Sequence, residues 1–138
     1  MLKQLQTSIK NRFLCIKYTL DHRRAFLVIE RQCLDHNTLR GYLHDLDKVF
    51  LKLFLSKKTV HRIHRKLSRH HLRAHTHADY VQMAIDWECA RFTKPDKPLN
   101  ATDTLYKFYP EKETEMLPVL KELGLYTRDQ SERTDASC

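Results

Sequence analysis

The sequence predicts an all-α, single-domain bundle of about six helices, and three observations point there. Only two glycines, Gly41 and Gly124, and four prolines occur in 138 residues, too few turn formers to punctuate a many-stranded sandwich or barrel. Apolar residues recur at three- and four-residue steps along most of the chain, the period of a helix with one buried face. A chain of this length buries roughly two-thirds of its unfolded surface, enough for one continuous core. The folded domain is expected over residues 1–126, and the polar stretch from Thr127 to Cys138 as a disordered tail.

Taken in order, Leu2, Leu5, Ile9, Phe13 and Ile16 predict a first helix to about Tyr18 with that face buried. Asp21 is a candidate cap for a second helix, with Ala25, Phe26, Ile29 and Cys33 on one side and His22 in its first turn. Asn37 is the next candidate cap, opening a helix with Leu39, Tyr42, Leu43 and Leu46 inward and His44-Asp45 in one turn. Adjacent helical residues diverge by about 100°, so both reach one ion only if it lies over that wall. Val49 to Leu55 reads equally as helix or loop. Ser56 or Thr59 starts a basic segment, Lys57 to Arg73; an unbroken helix there puts His61, His64, Leu67, His71 and His75 on one face. Thr76 caps a helix from about Ala78 to Phe92 that buries Val81, Ala84, Ile85 and Cys89 and carries Asp86 beside the apolar stripe. Pro95 and Pro98 mark a loop. Asn100 and Asp103 open a short aromatic helix, and Glu111 to Leu123 forms the last one, ended by Gly124.

Composition narrows the function classes. Lys and Arg outnumber Asp and Glu by 25 to 17, so the surface is expected to attract phosphates, nucleic acid or anionic membrane, among which charge alone does not choose. The longest apolar runs, such as Phe50 to Leu55, are far below the roughly 20 residues a bilayer crossing needs. Nothing at the N-terminus reads as an export signal, and the expected location is the cytoplasm. Cys15, Cys33, Cys89 and Cys138 have neither disulfide nor zinc-knuckle spacing. The first three read as small buried hydrophobes.

The chemistry lies in the donors. His22, His44, Asp45 and Asp86, with the His70-His71 doublet, offer imidazole and carboxylate ligands of the kind that hold a divalent Mn, Fe, Co, Ni or Zn ion. An ionised Asp86 beside an apolar stripe is costly unless paired or metal-bound. The order histidine, histidine-aspartate, aspartate resembles the tetrad of the HD-domain superfamily of metal-dependent phosphohydrolases. His44-Asp45-Leu46-Asp47-Lys48 looks like the HD-x-x-K pattern of several of its subfamilies. Arg69-His70-His71 looks like the double-histidine element of its two-metal members. The stretch from Ile85-Asp86-Trp87-Glu88 to Tyr109 is similar to a small HD-like family of phage and bacterial proteins, and the likeness covers about Asp21 to Pro110. No glycine-tyrosine-proline element follows, which disfavours the cyclic-dinucleotide branch.

The resemblance implies an HD-like fold in which His22, His44, Asp45 and Asp86 hold one ion. His71 and His64 are possible ligands of a second. Lys48, His70 and His71 are the implied catalytic side chains, and Lys48, Arg65, Arg69 and Arg91 the implied phosphate-binding set. The implied substrate is a nucleotide or other small phosphoester. Set against this is a basic helical module that binds nucleic acid or protein through residues 57–73, or an HD-like fold that has lost catalysis. Trp87 and the Tyr106, Phe108, Tyr109 cluster read as core aromatics. Oligomeric state stays open.

Overall fold

In the computed structural model, which describes residues 2–94, 96 and 98–127, one helix dominates. This helix, α1 (Leu2–Leu34), has 33 residues and extends about 50 Å. No glycine or proline interrupts it, and the expected break at Asp21 does not occur. Lys17 Nζ donates to Asp21 Oδ2 one turn on, at 2.7 Å, an i,i+4 pair that supports a continuous helix. His22 therefore sits in mid-helix, not in a first turn.

Seven α-helices and one 3₁₀ turn make up the described residues, with no strand among them: after α1 come α2 (Leu39–Leu43), α3 (Leu46–Phe54), α4 (Lys57–Leu67), α5 (His77–Thr93), α6 (Ala101–Phe108), the 3₁₀ turn Pro110–Lys112 and α7 (Glu113–Glu122). This is an all-α, single-domain bundle. Its centre is α5, packed against the C-terminal half of α1 and against α6 and α7. Phe26, Met83, Ile85, Leu105, Met116 and Leu120 are fully or almost fully buried in that core. None of the described helices is long and apolar enough to cross a membrane.

Several local expectations change. Leu5, Ile9 and Phe13 are exposed and Ile16 only half-buried, because the N-terminal half of α1 projects past the core; the side chain of Leu2 lies outside the described set. Thr38, not Asn37, caps α2 by accepting from Gly41 N. Leu39, Tyr42 and Leu43 face solvent and Leu46 is half-buried. Residues 46–54 are helical, and α4 stops at Leu67, so His71 and His75 leave its face and fall in the turns before α5. Ser56 is the α4 cap, accepting from Thr59 N. Thr76 caps α5 with the reciprocal Asp79 contact of a capping box. Cys89 is buried, whereas Cys15 and Cys33 are half-buried. Gly124, at φ 68°, closes α7 in the left-handed conformation. Pro95, residues 128–138 of the expected tail, and Cys138 with them, lie outside the described residues.

Candidate metal centre

Between α2 and α3 the chain breaks at His44 (φ −54°, ψ 127°) and Asp45 (φ 56°, ψ 13°). The left-handed region that Asp45 occupies is one that aspartate tolerates better than most residues. The expected embedding of His44-Asp45 in one helical turn is thus replaced by a kink, which frees both side chains from the 100° divergence of neighbours on a helix. Contacts from α1 hold the kink. Arg23 Nε donates to His44 O at 2.8 Å and another Arg23 nitrogen to Tyr42 O. Phe26 stacks on the His44 ring, with centroids 3.8 Å apart and planes 16° apart. Buried Glu30 accepts from Thr38 N and Oγ1 and from Gln82 Nε2, and its carboxylate lies where a side chain on Gly41 would be.

To this kink α1 brings His22 and α5 brings Asp86. One ligand atom each from His22, His44, Asp45 and Asp86 lies within 4.8 Å of the other three. Bonds of about 2.0–2.2 Å to an ion put opposite donors about 4 Å apart, so the set needs little contraction to close on one cation. Asp86 Oδ1 stands 2.8 Å from His22 Nε2 and 3.3 Å from His44 Nε2, and Asp45 Oδ2 is 3.8 Å and 3.7 Å from the same two atoms. Despite these distances, His44 Nδ1, His44 Nε2 and Asp45 Oδ1 are buried without a hydrogen-bond partner. Buried polar atoms are seldom left so; a cation at this convergence would take the His44 Nε2 lone pair, while Asp45 Oδ1 is turned to the neighbouring histidines His64 and His70. The two-nitrogen, two-carboxylate set suits a divalent transition ion.

The ring of His22 is also oriented for this. Thr93 Oγ1 donates its only proton to Cys89 O at 2.9 Å and meets His22 Nδ1 at 3.3 Å, so Nδ1 carries the hydrogen of that contact. Nε2 is then the ring atom turned to Asp86 Oδ1, and an ion between them would take its lone pair, the arrangement by which an outer partner fixes a metal-ligating imidazole.

Burial works to raise both carboxyls. For Asp45 the neighbouring His64, His70, His44 and Lys48 outweigh it, and for Asp86 His22 and His44 do, so both stay well below the usual carboxylate range. Burial lowers His44 and outweighs the raising effect of Asp86 and Asp45. Asp45 and Asp86 thus favour the charged carboxylate and His44 the neutral imidazole, the ligating forms.

A second group adjoins the first. His64, His70 and His71 present ligand atoms within 4.8 Å of one another, as do Asp45, Asp47 and His64. Asp45 links the two groups: Oδ2 faces His22 and His44, while Oδ1 is 3.0 Å from His64 Nε2 and 3.6 Å from His70 Nε2. Asp47 Oδ2 meets His64 Nδ1 at 2.7 Å. Burial lowers His64, but Asp45 and Asp47 outweigh it and raise it. His71 is pushed down to about 3 by burial, against the pull of Asp86 and with His70, His64 and Lys48 adding to the shift.

A cavity of about 400 Å³ opens beside these donors. His22, Asp45, His71 and Asp86 reach it, as do Lys48 and Arg65. Lys48 sits in the first turn of α3, where the HD-x-x-K spacing folds it back over its own cap residue, with Nζ 2.8 Å from Asp45 Oδ2. Arg69 and Arg91 are not among its lining residues; both are exposed, and Arg91 lies 3.4 Å from Glu88 Oε1. Lys52, His61 and Lys94 line it in their place. Trp87, from the core, and Tyr109, packed against it, stack at 5.0 Å and 8° and form part of its wall with Tyr18 and Phe108; Phe108, expected in the core, is exposed. Lys52, one turn beyond Lys48, and His61, one turn before His64, carry a helical-spacing signal by which the sequence could have placed them here. Thr93, Phe26 and Asp47 carry none, because their partners come from other elements.

No family model, curated protein or solved structure matches the chain.

Proposed function

We propose that the protein is an HD-like, metal-dependent phosphohydrolase acting on a nucleotide or another small phosphoester. One observation carries this reading: four donor atoms from three separate stretches of chain converge within 4.8 Å in a buried setting, with His44 and Asp45 left short of hydrogen-bond partners. His22, His44, Asp45 and Asp86 hold a divalent ion, which when bound supplies a Lewis acid and lowers the pKa of water. Lys48 and Arg65 neutralise phosphate charge from the cavity wall. The Trp87–Tyr109 wall offers a flat apolar face to a base. His64, His70 and His71 either hold a second ion or pass a proton to the leaving oxygen.

Metal analysis of the purified protein, followed by hydrolysis of a generic chromogenic phosphoester and a nucleotide panel, tests the reading. Stoichiometric transition metal, turnover abolished by EDTA, and loss of both in Asp45→Ala are expected. Protein that neither carries nor takes up metal at neutral pH refutes it. Metal without turnover on any substrate points to an HD-like fold that has lost catalysis.

One observation favours the second reading, a nucleic-acid-binding module: α4 exposes Lys57, Lys58, Arg62, Arg65 and Lys66 together. Binding through that face alone is indifferent to chelator and to Asp45→Ala, and falls steeply with salt.

A further inference from the structure

Beyond the cavity at the donors lies a second concavity, of about 610 Å³, between the N-terminal half of α1 and the α3–α4 junction. Its cations are Lys3, Arg12, Lys52 and Lys57, interleaved with hydroxyl and amide side chains, and none of the described residues lining it is acidic. Lys52 lines both spaces. It is almost fully buried, and its ammonium donates to two neutral oxygens, Cys15 O at 3.0 Å and Thr19 Oγ1. Among the described residues no carboxylate lies within ion-pairing distance of it. A buried charge without a counter-ion is costly, and an anion bridging the two spaces would remove that cost.

We infer that the substrate is the end of a single-stranded oligonucleotide, its terminal nucleotide in the cavity and its preceding phosphates passing Lys52 into the cationic groove. The inference rests on the proposed function for the chemistry at the terminus, but the groove itself is a separate observation. A mononucleotide leaves the groove unused, and a groove with four cations and no acid is suited to a run of phosphates. The aromatic wall meets the requirement that a single strand stack its bases, which the basic segment 57–73 could not meet by itself.

Binding measured in EDTA separates this inference from the hydrolytic reading. The probes are a fluorescently labelled single-stranded DNA of about ten nucleotides, followed by anisotropy, and the matching mononucleotide, followed by the fluorescence of Trp87, the single tryptophan. At low salt the oligonucleotide is expected to bind at least tenfold more tightly than the mononucleotide. In Lys3→Gln/Lys57→Gln, which leaves Arg12 and Lys52, that ratio should fall severalfold, and the log–log salt slope should become shallower by about 1.4, from about 0.7 per phosphate contact on a single strand. Equal affinity for the two probes overturns the inference, as does an unchanged ratio in the double variant. Binding to phosphatidylserine vesicles in place of the oligonucleotide overturns it too. Metal analysis of the protein before EDTA is added, and after a divalent metal is supplied, distinguishes the failures: metal bound with no oligonucleotide preference sinks the groove alone, and the preference in protein that neither carries nor takes up metal sinks the hydrolytic reading alone.

Discussion

Gly41→Ala tests how the kink that carries His44 and Asp45 is seated. A Cβ there would collide with Glu30 Oε2 and lie 2.5 Å from its Cδ and 2.6 Å from Oε1. A carboxylate at the end of a flexible side chain normally moves aside at little cost, but this one is fully buried and accepts three hydrogen bonds, from Thr38 N at 3.1 Å, Thr38 Oγ1 at 2.6 Å and Gln82 Nε2 at 2.9 Å. Displacing it sacrifices at least two bonds to a charged group, worth about 1.5–3 kcal/mol each. Replacing a helical glycine returns about 1 kcal/mol of propensity. The net loss is then about 2–5 kcal/mol, a large share of the stability of a domain this size. Urea unfolding followed by circular dichroism reads it directly as a lower midpoint at unchanged slope. In a Glu30→Ala background the clash is gone, so the same substitution should be neutral or stabilising, and the two changes strongly non-additive. A Gly41→Ala protein within about 1 kcal/mol of the parent would refute the reasoning.

Thr93→Val keeps the shape of α5 but removes the acceptor at His22 Nδ1; metal affinity by chelator competition should fall about 10–100-fold with the fold retained. Phe26→Ala empties a fully buried site and unstacks His44; the expected destabilisation is about 3–5 kcal/mol in urea, with weaker metal binding. Burial tends to raise Asp79, but Arg40, the Thr76 hydroxyl and the backbone N–H groups of His75 and Thr76 outweigh it and hold it below its unfolded value. Its stabilisation is therefore complete above the unfolded pKa of about 4 and is lost as pH falls below that, toward the folded value. Asp79→Asn should lower the urea midpoint at pH 7 and flatten its decline between about pH 5 and pH 2; a parallel decline in both proteins counts against the assignment.

Much of this architecture is legible from local signals. Thr76 with Asp79, Asn100 with Asp103, and Gly124 each mark a helix end by chemistry within four residues. The donors His22, His44, Asp45 and Asp86 stand out through residue type and order. What cannot be read locally depends on distant partners. Asp21 has the side chain of a cap and yet pairs with Lys17 inside a longer helix; nothing in the sequence breaks α1 there. Leu39, Tyr42 and Leu43 have helical spacing, but the surface α2 buries is set by Gly41 against Glu30, so the apolar side faces out. Arg69 and Arg91 share only their charge with the cavity-lining cations, whereas Lys52 enters the cavity because one turn of α3 separates it from Lys48.

The His44-Asp45 dipeptide has a backbone reason for its order as well as a ligand reason. Had the two remained on one helix, about 100° would separate their directions, and only one could face His22 and Asp86 squarely. The chain instead ends α2 at Leu43 and restarts at Leu46, with Asp45 in the left-handed region. A bulky or β-branched residue at that position would be strained by of order 1–3 kcal/mol, while aspartate both tolerates the conformation and supplies the carboxylate that links the two donor groups. The kink also makes Asp45 the cap residue of α3, so Lys48 comes round one turn later to meet Asp45 Oδ2. A single left-handed residue thus accounts for the convergence of both donors and for the position of the lysine. Asp45→Asn separates those contributions: asparagine keeps the left-handed preference and the size, so the helical content should hold, while the urea midpoint at pH 7 falls with the loss of the carboxylate's pairing to Lys48 and His64 and metal affinity collapses. Unfolding of Asp45→Asn along with loss of metal would mean that the carboxylate, and not the backbone conformation, holds the kink.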